Sequence, residues 1–384
     1  MNDTEARLRD YFEAMAATVS ATARGPALTT EVHRRQLALP MILTAAAVAA
    51  VLVLTVTFVN RVSADAPSAA STSVVDASPQ VPYIVNDARR GRDRLTATLY
   101  DGSRTVRLPN EIKLIYGRVG DGWLTQRVSA PGGDFRAAIL QPNGALRTIG
   151  PSKADMPVLS PDRREIAVMT RTTPDGGGRF DVIDVASGVY SRSKVAVPRQ
   201  MFLLHGWNQT GVWGSVESGG KAELFVWRPG QSAFEPVRVN GFTGSLAVSP
   251  ATDTVAVATA AGNSRCVKAG ALRDGKFNVE RQHCASGQRA VYAVLSDDGK
   301  TMLYSERKLA IDVASGKTTQ LKLVDPIRGP LSAVFEDATR VLAVTQHREG
   351  NKYGPQRLYR CDVASGECTL LRTEQDKNIV LTRP

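Results

Sequence analysis

Histidine is nearly missing from this chain of 384 residues; His33, His205, His283 and His347 are its four examples. They lie far apart, so a three-histidine metal centre would require distant segments to converge. Cysteine is almost as sparse. The four present, Cys266, Cys284, Cys361 and Cys368, lack the paired spacings of about two to four residues typical of structural zinc sites. The glycine turns at Gly120–Trp123 and Pro174–Phe180 do not resemble a phosphate loop, since neither ends in Lys-Ser or Lys-Thr within a strand–helix setting. Ser160, Ser249 and Ser296 sit in turn sequences without a histidine at fixed spacing, so nucleophilic catalysis has no warrant in the sequence. These absences predict no catalytic residue, no metal ligand and no cofactor. From residue 81 onward there is also no long amphipathic helix, which disfavours alternating βα folds and the enzymes built on them.

What the chain does have is one long uncharged run. Met41–Val59 carries no charge and is long enough to cross a bilayer core, for which about 20 residues suffice as a helix. Arg34 and Arg35 precede it and Arg61 comes just after it. The positive-inside bias therefore places the N-terminus in the cytoplasm and the C-terminal domain outside. A cleavable secretion signal is the rival, because Val62-Ser63-Ala64 offers small residues ahead of Asp65. Such signals have a core of about 7–15 residues close to the N-terminus, so a retained single-pass anchor is the expectation. Both readings export the large domain and make nucleic acid a poor partner.

The expected organisation is a cytoplasmic tail over residues 1–38, a transmembrane helix over 39–60, a flexible linker over 61–80 and a folded domain over 81–384. In the tail, Leu8, Tyr11, Phe12 and Met15 recur at helical spacing, with Thr4 placed to cap the helix. Such a helix could dock a cytoplasmic partner, lie on the inner leaflet, or do neither. The charges of the tail balance, so the formal net charge of +11 belongs to the rest of the chain. The linker is built of alanine, serine and proline and has little to bury. All four cysteines lie on the exported side. Pairing Cys266 with Cys284 and Cys361 with Cys368 suits an oxidising compartment, and the second pair faces across an expected hairpin.

The remainder reads almost wholly as short strands bounded by Gly, Pro, Asp or Ser. The pentapeptide DVASG occurs at Asp184–Gly188, Asp312–Gly316 and Asp362–Gly366, each time between two strands. Aspartate and serine can bond nearby backbone there, and glycine can take positive φ. A second turn signature precedes the expected inner strands at LSPDRREIAV, VSPATDTVAV, LSDDGKTMLY and FEDATRVLAV, starting at Leu159, Val248, Leu295 and Phe335. The recurrence runs at roughly 40 to 50 residues, the size of a propeller blade of four strands. Units fall at Ile115–Ile149, Met156–Val195, Phe202–Val239, Ser245–Cys284, Val291–Leu323 and Leu331–Arg372. An incomplete unit spans Tyr83–Leu108, and Asn378–Arg383 could pair with it to close the ring. The expectation is an all-β propeller of six or seven blades, seven favoured; a β-sandwich pair is the weaker rival.

These units resemble the blades of TolB-like and WD40-like bacterial β-propellers. The resemblance rests on LSPDRREIAVMT with a later strand ending FDVIDVASG, and on LSDDGKTMLYSE with IDVASGK after it. It covers residues 81–384 and implies fold and envelope placement. It implies little chemistry, because these turns are structural, and the Gly-His and Trp-Asp signatures of typical eukaryotic WD40 blades are absent.

Composition also suggests candidate contacts. Trp207, Trp213 and Trp227 fall in one unit and could form an aromatic rim for a ligand, although such residues more often fill space between blades. Arg89, Arg90, Arg92 and Arg94 form a dense basic run. Lys268, Arg273, Lys276 and Arg281 cluster near the first cysteine pair, with Arg265 and Arg289 nearby. They suit an anionic wall component or acidic envelope protein. Asp297, Asp298, Glu336 and Asp337 could bind calcium or act as an acid–base pair, but aspartate in turns is ordinary. The leading functional expectation is a membrane-anchored envelope platform without catalysis. The alternatives are a propeller-type hydrolase or lyase with a site at the channel mouth, and a single-pass sensor that couples external binding to the tail.

Overall fold

The computed structural model describes residues 78–382 apart from 88–96, 111, 129–134, 172–177, 198–200, 219–220, 288–290, 325–331 and 350–351. The expected tail helix, the anchor and most of the linker lie outside the described residues, as do Arg89, Arg90, Arg92, Arg94 and Arg289. Among the described residues no helix is long and apolar enough to cross a membrane.

Strands β1 (Tyr83–Asp87), β2 (Ala97–Asp101) and β3 (Arg104–Leu108) come first. Blade 2 holds β4 (Ile112–Val119), β5 (Gly122–Val128), β6 (Phe135–Leu140) and β7 (Leu146–Ile149). Blade 3 holds β8 (Ala154–Leu159), β9 (Glu165–Arg171), β10 (Gly178–Asp184) and β11 (Tyr190–Val197). Blade 4 holds β12 (Met201–Asn208), β13 (Gly211–Ser218), β14 (Lys221–Trp227) and β15 (Glu235–Val237). Blade 5 holds β16 (Phe242–Val248), β17 (Thr254–Ala261), β18 (Ser264–Arg273) and β19 (Lys276–Ser286). Blade 6 holds β20 (Ala293–Leu295), β21 (Thr301–Tyr304), β22 (Leu309–Asp312) and β23 (Thr318–Gln320). Blade 7 holds β24 (Ser332–Phe335), β25 (Arg340–Glu349), β26 (Lys352–Asp362) and β27 (Cys368–Glu374). The last strand, β28 (Lys377–Leu381), joins the first three in the order β28-β1-β2-β3, which completes blade 1. The all-β expectation holds, with seven four-stranded sheets.

The C-terminal strand pairs with the N-terminal unit and closes the ring, as the sequence suggested, and it does so as the innermost strand of the first blade. Ile84 pairs with Val380 and Val85 with Ile379. Arg372 on β27 stacks over the Tyr100 ring at 4.1 Å and donates to its hydroxyl at 2.9 Å, tying blade 7 to blade 1 beside the seam. At the same junction Arg360 donates to both carboxylate oxygens of Glu336, at 2.7 and 2.8 Å, and to the Ser78 carbonyl at 2.9 Å. Glu336 and Arg360 are therefore a buried ion pair that also fixes the incoming chain, and not a cation site.

Every interface between successive blades has its own apolar cluster. Ile84, Leu99 and Val106 of blade 1 meet Ile115, Trp123 and Leu140 of blade 2. Ile139 and Ile149 meet Ile166 and Ile183 of blade 3. Between blades 3 and 4 the filling is aromatic: Phe180 has the rings of Phe202, Phe225, Trp227 and Phe234 within 6.0 Å. Val226 and Leu224 meet Val255 and Val257 of blade 5, and Val267 meets Met302 and Tyr304 of blade 6. Leu303 meets Val341, and Leu342 meets Tyr83 and Ile379 across the seam.

Both repeated turns lie at one face of the ring, here the lower face, because strands within a blade alternate in direction. The second turn signature comes after the inner strand, and not before it: LSPDRRE joins β8 to β9. Its serine closes the turn through its own hydroxyl. Ser160 donates to Asp162 at 2.7 Å and accepts from the Glu165 amide at 2.9 Å; Ser296 repeats this with Asp298 and Thr301. The DVASG turns join the third and fourth strands. In each, the aspartate carboxylate accepts from the serine amide and hydroxyl. These bonds hold Asp184, Asp312 and Asp362 below the usual carboxylate range.

The DVASG turn is also a latch between blades. Arg147 on β7 donates to the Val185 and Ala186 carbonyls of the next blade, at 2.9 and 3.2 Å. Arg281 on β19 does the same to Val313 at 3.0 Å and to Ala314. In blade 7 the Lys322 amide donates to the Gly366 carbonyl instead. Both cysteine pairs are formed, Cys266 with Cys284 and Cys361 with Cys368, and no cysteine is free. Each bond joins directly opposed residues on the two outer strands, with Cα atoms 4.1 and 4.0 Å apart.

Two substitutions separate backbone strain from blade contact. Gly120 has φ +58 with open space around it, so Gly120→Ala is expected to cost about 1–2 kcal/mol, the left-handed penalty alone. Gly366 has φ +75, and an added Cβ would lie 2.1 Å from the Gln320 carbonyl oxygen of blade 6. Gly366→Ala is expected to lower the thermal midpoint at least twice as far as Gly120→Ala; equal shifts would show that the latch contact contributes nothing. Removal of residues 377–384 leaves blade 1 without its inner strand, and calorimetry is expected to show loss of the single cooperative transition.

Candidate functional site

The innermost strands line a central channel, and its lining is set by their alternation and by their bulges. The lower cavity, of about 340 Å³, is walled mainly by aliphatic residues such as Val158, Leu246, Val248 and Leu295. The upper cavity, of about 610 Å³, lies toward the starts of β16, β20 and β24. The two share His205, Leu246, Ala293, Val294 and Ala333, so they meet near the middle of the channel.

His205 is there because β12 carries a bulge. Leu204 pairs with Gly214 and Gly206 with Trp213, which leaves His205 without an opposed residue. Bulges of this kind re-aim a side chain. The Nε2 atom of His205 lies 2.8 Å from the hydroxyl of Ser215, a residue with no exposed surface. Across the channel, Tyr116 donates to Gln126 at 2.9 Å, and Gln126 donates to Asp155 at 2.7 Å. Tyr116 lines the lower cavity, so this chain of bonds orients one polar patch of its wall.

At the lower mouth the adjacent turns are cross-linked. Arg163 donates to the Arg118 carbonyl, and the Ala251 amide and the Ser249 hydroxyl both donate to the Asp297 carbonyl. Ser160, Ser249 and Ser296 are buried and spent on these turns, which leaves none of them as a nucleophile. Asp297 differs from its neighbours. Asp298 closes its own turn and Asp337 pairs with Arg340, whereas Asp297 turns toward the cavity. Burial pushes its carboxyl above the usual carboxylate range, Arg163 opposes that shift and Asp298 adds to it. At the upper mouth stand Glu217, Thr243, Ser245, Tyr292 and Ser332.

The three tryptophans do not form a rim. Trp213 and Trp227 are fully buried between blades, with indole N–H groups bonded to Asn208 and to the Gln231 carbonyl. They are core residues, because the inward faces of β13 and β14 pack on neighbouring blades. Trp207 alone of the three lines the channel. The basic group of blade 5 is also dispersed: Arg281 is held by the blade 6 turn, Arg273 faces Glu280 at 3.4 Å, Lys268 is half-buried and Lys276 is exposed. Glu217 and Tyr292 carried no signal in the sequence, since only the ring brings β13 and β20 to one mouth. Among the described residues no group of three or more His, Cys, Asp or Glu could hold a metal ion.

No family model matches the chain, and no curated protein matches it. Among solved structures it is similar to the Dos1 propeller, with 12% identity over 80% of this chain and 88% of that one and a TM-score of 0.50. It is similar to TolB from Acinetobacter baumannii at 11% identity over 80% of this chain and 68% of that one, TM-score 0.48. A prolyl endopeptidase gives 13% identity and a TM-score of 0.49 over 79% of this chain, and only 51% of that chain is covered. At these identities the likeness shows the fold alone.

The raised carboxyl of Asp297 gives a signed prediction. The folded chain holds this proton to higher pH than the unfolded chain, so stability falls as pH rises from the ordinary value of 3.8 through the raised folded one. Asp297→Asn is expected to raise the thermal midpoint at pH 7 and to bring no gain near pH 3, about a unit below the ordinary carboxylate value. A variant less stable than the parent at pH 7 would instead give this carboxylate a structural bond.

Proposed function

We propose that the chain is an exported, membrane-anchored propeller that acts as a non-catalytic binding platform, holding an envelope protein or wall component at the central channel. The observation that carries this reading is the channel itself: two adjoining cavities whose shared middle is aliphatic apart from His205, with polar mouths. Such a lining suits an extended ligand whose apolar part is desolvated and whose polar groups are read at the ends. Export is supported by the pairing of all four cysteines, since disulfides persist in oxidising compartments and are rare in reducing ones. Anchoring rests on the uncharged run Met41–Val59 and the arginines before it. The chain enters the propeller at the lower face, where Arg360 holds Ser78. The upper mouth is at the face of the ring away from that entry point.

A second reading, a hydrolase or lyase, is favoured by one observation: His205 and Glu217 line the same upper cavity. Against it, the hydroxyl bonded to His205 belongs to Ser215, which has no exposed surface, so no substrate can reach that oxygen.

Crosslinking in intact cells, with subsequent isolation of the anchored chain, tests the platform. The parent is expected to retain one stoichiometric envelope partner. Ala333→Trp, which fills the region shared by the two cavities, is expected to lose that partner while keeping its thermal midpoint within a few degrees, about the shift that 1 kcal/mol produces in a domain of this size. Failure to retain a partner, together with turnover of an envelope substrate that Glu217→Gln abolishes, would overturn the platform in favour of the enzyme.

A further inference from the structure

The chain carries a formal net charge of +11, which by itself points to anionic partners. The upper mouth of the channel, by contrast, is lined by a carboxylate, Glu217. We propose that this mouth is a receptor for an ammonium group, with Glu217 as its counter-ion, Tyr292 as its aromatic wall and Ser332 as a further acceptor. The proposal deepens the platform reading and rests on it, because it names the chemistry the channel selects.

The geometry starts at β13. Glu217 stands near the upper end of that strand, paired with Met201, and reaches over the neighbouring blade. Its Oε1 lies 3.4 Å from the point where a Cβ would stand on Gly244, at the start of β16. The absence of a side chain at Gly244, which has φ +87, leaves the space beside the carboxylate open. Glu217 is exposed and lines the cavity, and its carboxylate has no hydrogen-bond or ion-pair partner among the described residues. Among the described residues no lysine or arginine lines this cavity, and Glu217 is the carboxylate that does.

The rest of the lining fits a cation better than an anion. An ammonium group brings three donors and no acceptor. Glu217 and the exposed Ser332 hydroxyl accept, and the half-exposed Tyr292 ring offers the face that attracts cations. The Ser245 hydroxyl already accepts from the Ala293 amide, and the Thr243 hydroxyl donates to the Ala258 carbonyl. A carboxylate or phosphate would find no cationic side chain among these lining residues and would face Glu217 directly. The long aliphatic channel below would then take the apolar stem attached to the ammonium.

Amines of two sources share this chemistry, a free polyamine and the lysine or amino-terminal groups of a peptide, and the test has an arm for each. The full chain is titrated calorimetrically with spermidine, with a lysine-rich decapeptide and with that peptide fully acetylated. Salt is kept at 0.15 M, where the screening length of about 8 Å separates the mouth from distant charges. At least one amine is expected to bind, with affinity reduced about tenfold or more by Glu217→Gln, the effect of losing a hydrogen bond to a charged group. Tyr292→Ala is expected to weaken binding about threefold, whereas Tyr292→Phe keeps it. Because the Glu217 carboxylate has no partner among the described residues, Glu217→Gln is expected to leave the thermal midpoint unchanged. Spermidine binding alone would assign the mouth to small amines, and peptide binding lost on acetylation would assign it to peptide amines; both support the proposal. Equal binding of the acetylated peptide, or unchanged affinity in Glu217→Gln, would overturn the ammonium receptor while leaving the channel a binding site. Binding by neither amine would overturn it too, and a partner crosslinked equally well in Glu217→Gln would then show that the platform stands without it.

Discussion

Burial of apolar surface between successive blades is the interaction on which the ring depends, because no blade has a core of its own. Each cluster draws one wall from one sheet and the second wall from the next, so a blade removed from its neighbours would expose both faces. Fully buried side chains such as Ile84, Leu99, Phe180 and Trp227 each contribute about 1.5–3 kcal/mol by leaving water. That sum is collected only if the first and last blades also meet. The seam is accordingly fastened in several ways: β28 completes blade 1, Arg372 lies on Tyr100, and the Glu336–Arg360 pair holds the incoming chain. A buried ion pair is weak evidence for net stability, since desolvation opposes the Coulomb gain. Its value here lies in register, because it fixes the chain just before β1 must find β28.

The repeat is legible in the sequence because its turns perform a local task and a distant one together. Within a blade, aspartate and serine close the hairpin. Between blades, the same turn offers its carbonyls to Arg147 or Arg281 and presents a glycine to the preceding outer strand. Two constraints on five residues leave a pattern that survives in three places, and the spacing between such places gives the blade. The cysteine pairs are legible for a similar reason, since directly opposed positions on a hairpin are fixed by strand length. The closing strand can be read because Asn378–Leu381 has no other partner in a scheme of four strands per blade.

The channel is not legible, and the reason is geometric. Side chains on a strand alternate in direction, so one extra residue moves every later side chain of that strand to the opposite face. Inner strands β4, β8, β12 and β16 all contain such irregularities, and no turn sequence marks them. His205 therefore reaches the channel by a bulge, and Glu217 by standing one strand away from it. The tryptophans fail as surface residues for the converse reason: aromatic content in one unit does not say which face is inward. Arg281 has the look of a free cation in the sequence, yet its guanidinium has two carbonyls of the next blade as partners.

Net charge and local charge act at different ranges, and that difference bears on how the platform selects a partner. At physiological salt the field of a distant arginine is screened over about 8 Å, so the overall positive balance governs encounter with large anionic surfaces more than events inside a mouth. Where the channel wall is aliphatic, the lower local dielectric lengthens the reach of whatever charge is fixed there. Among the described residues, Glu217 at one mouth and Asp297 with Arg163 at the other are those charges. The two ends are consequently unlike among the described residues: one carries the Glu217 carboxylate, and the other a carboxyl whose charge is partly balanced by a neighbouring guanidinium. A ligand threading the ring would meet a different electrostatic condition at each end. The channel is therefore directional, even though the blades around it repeat one architecture.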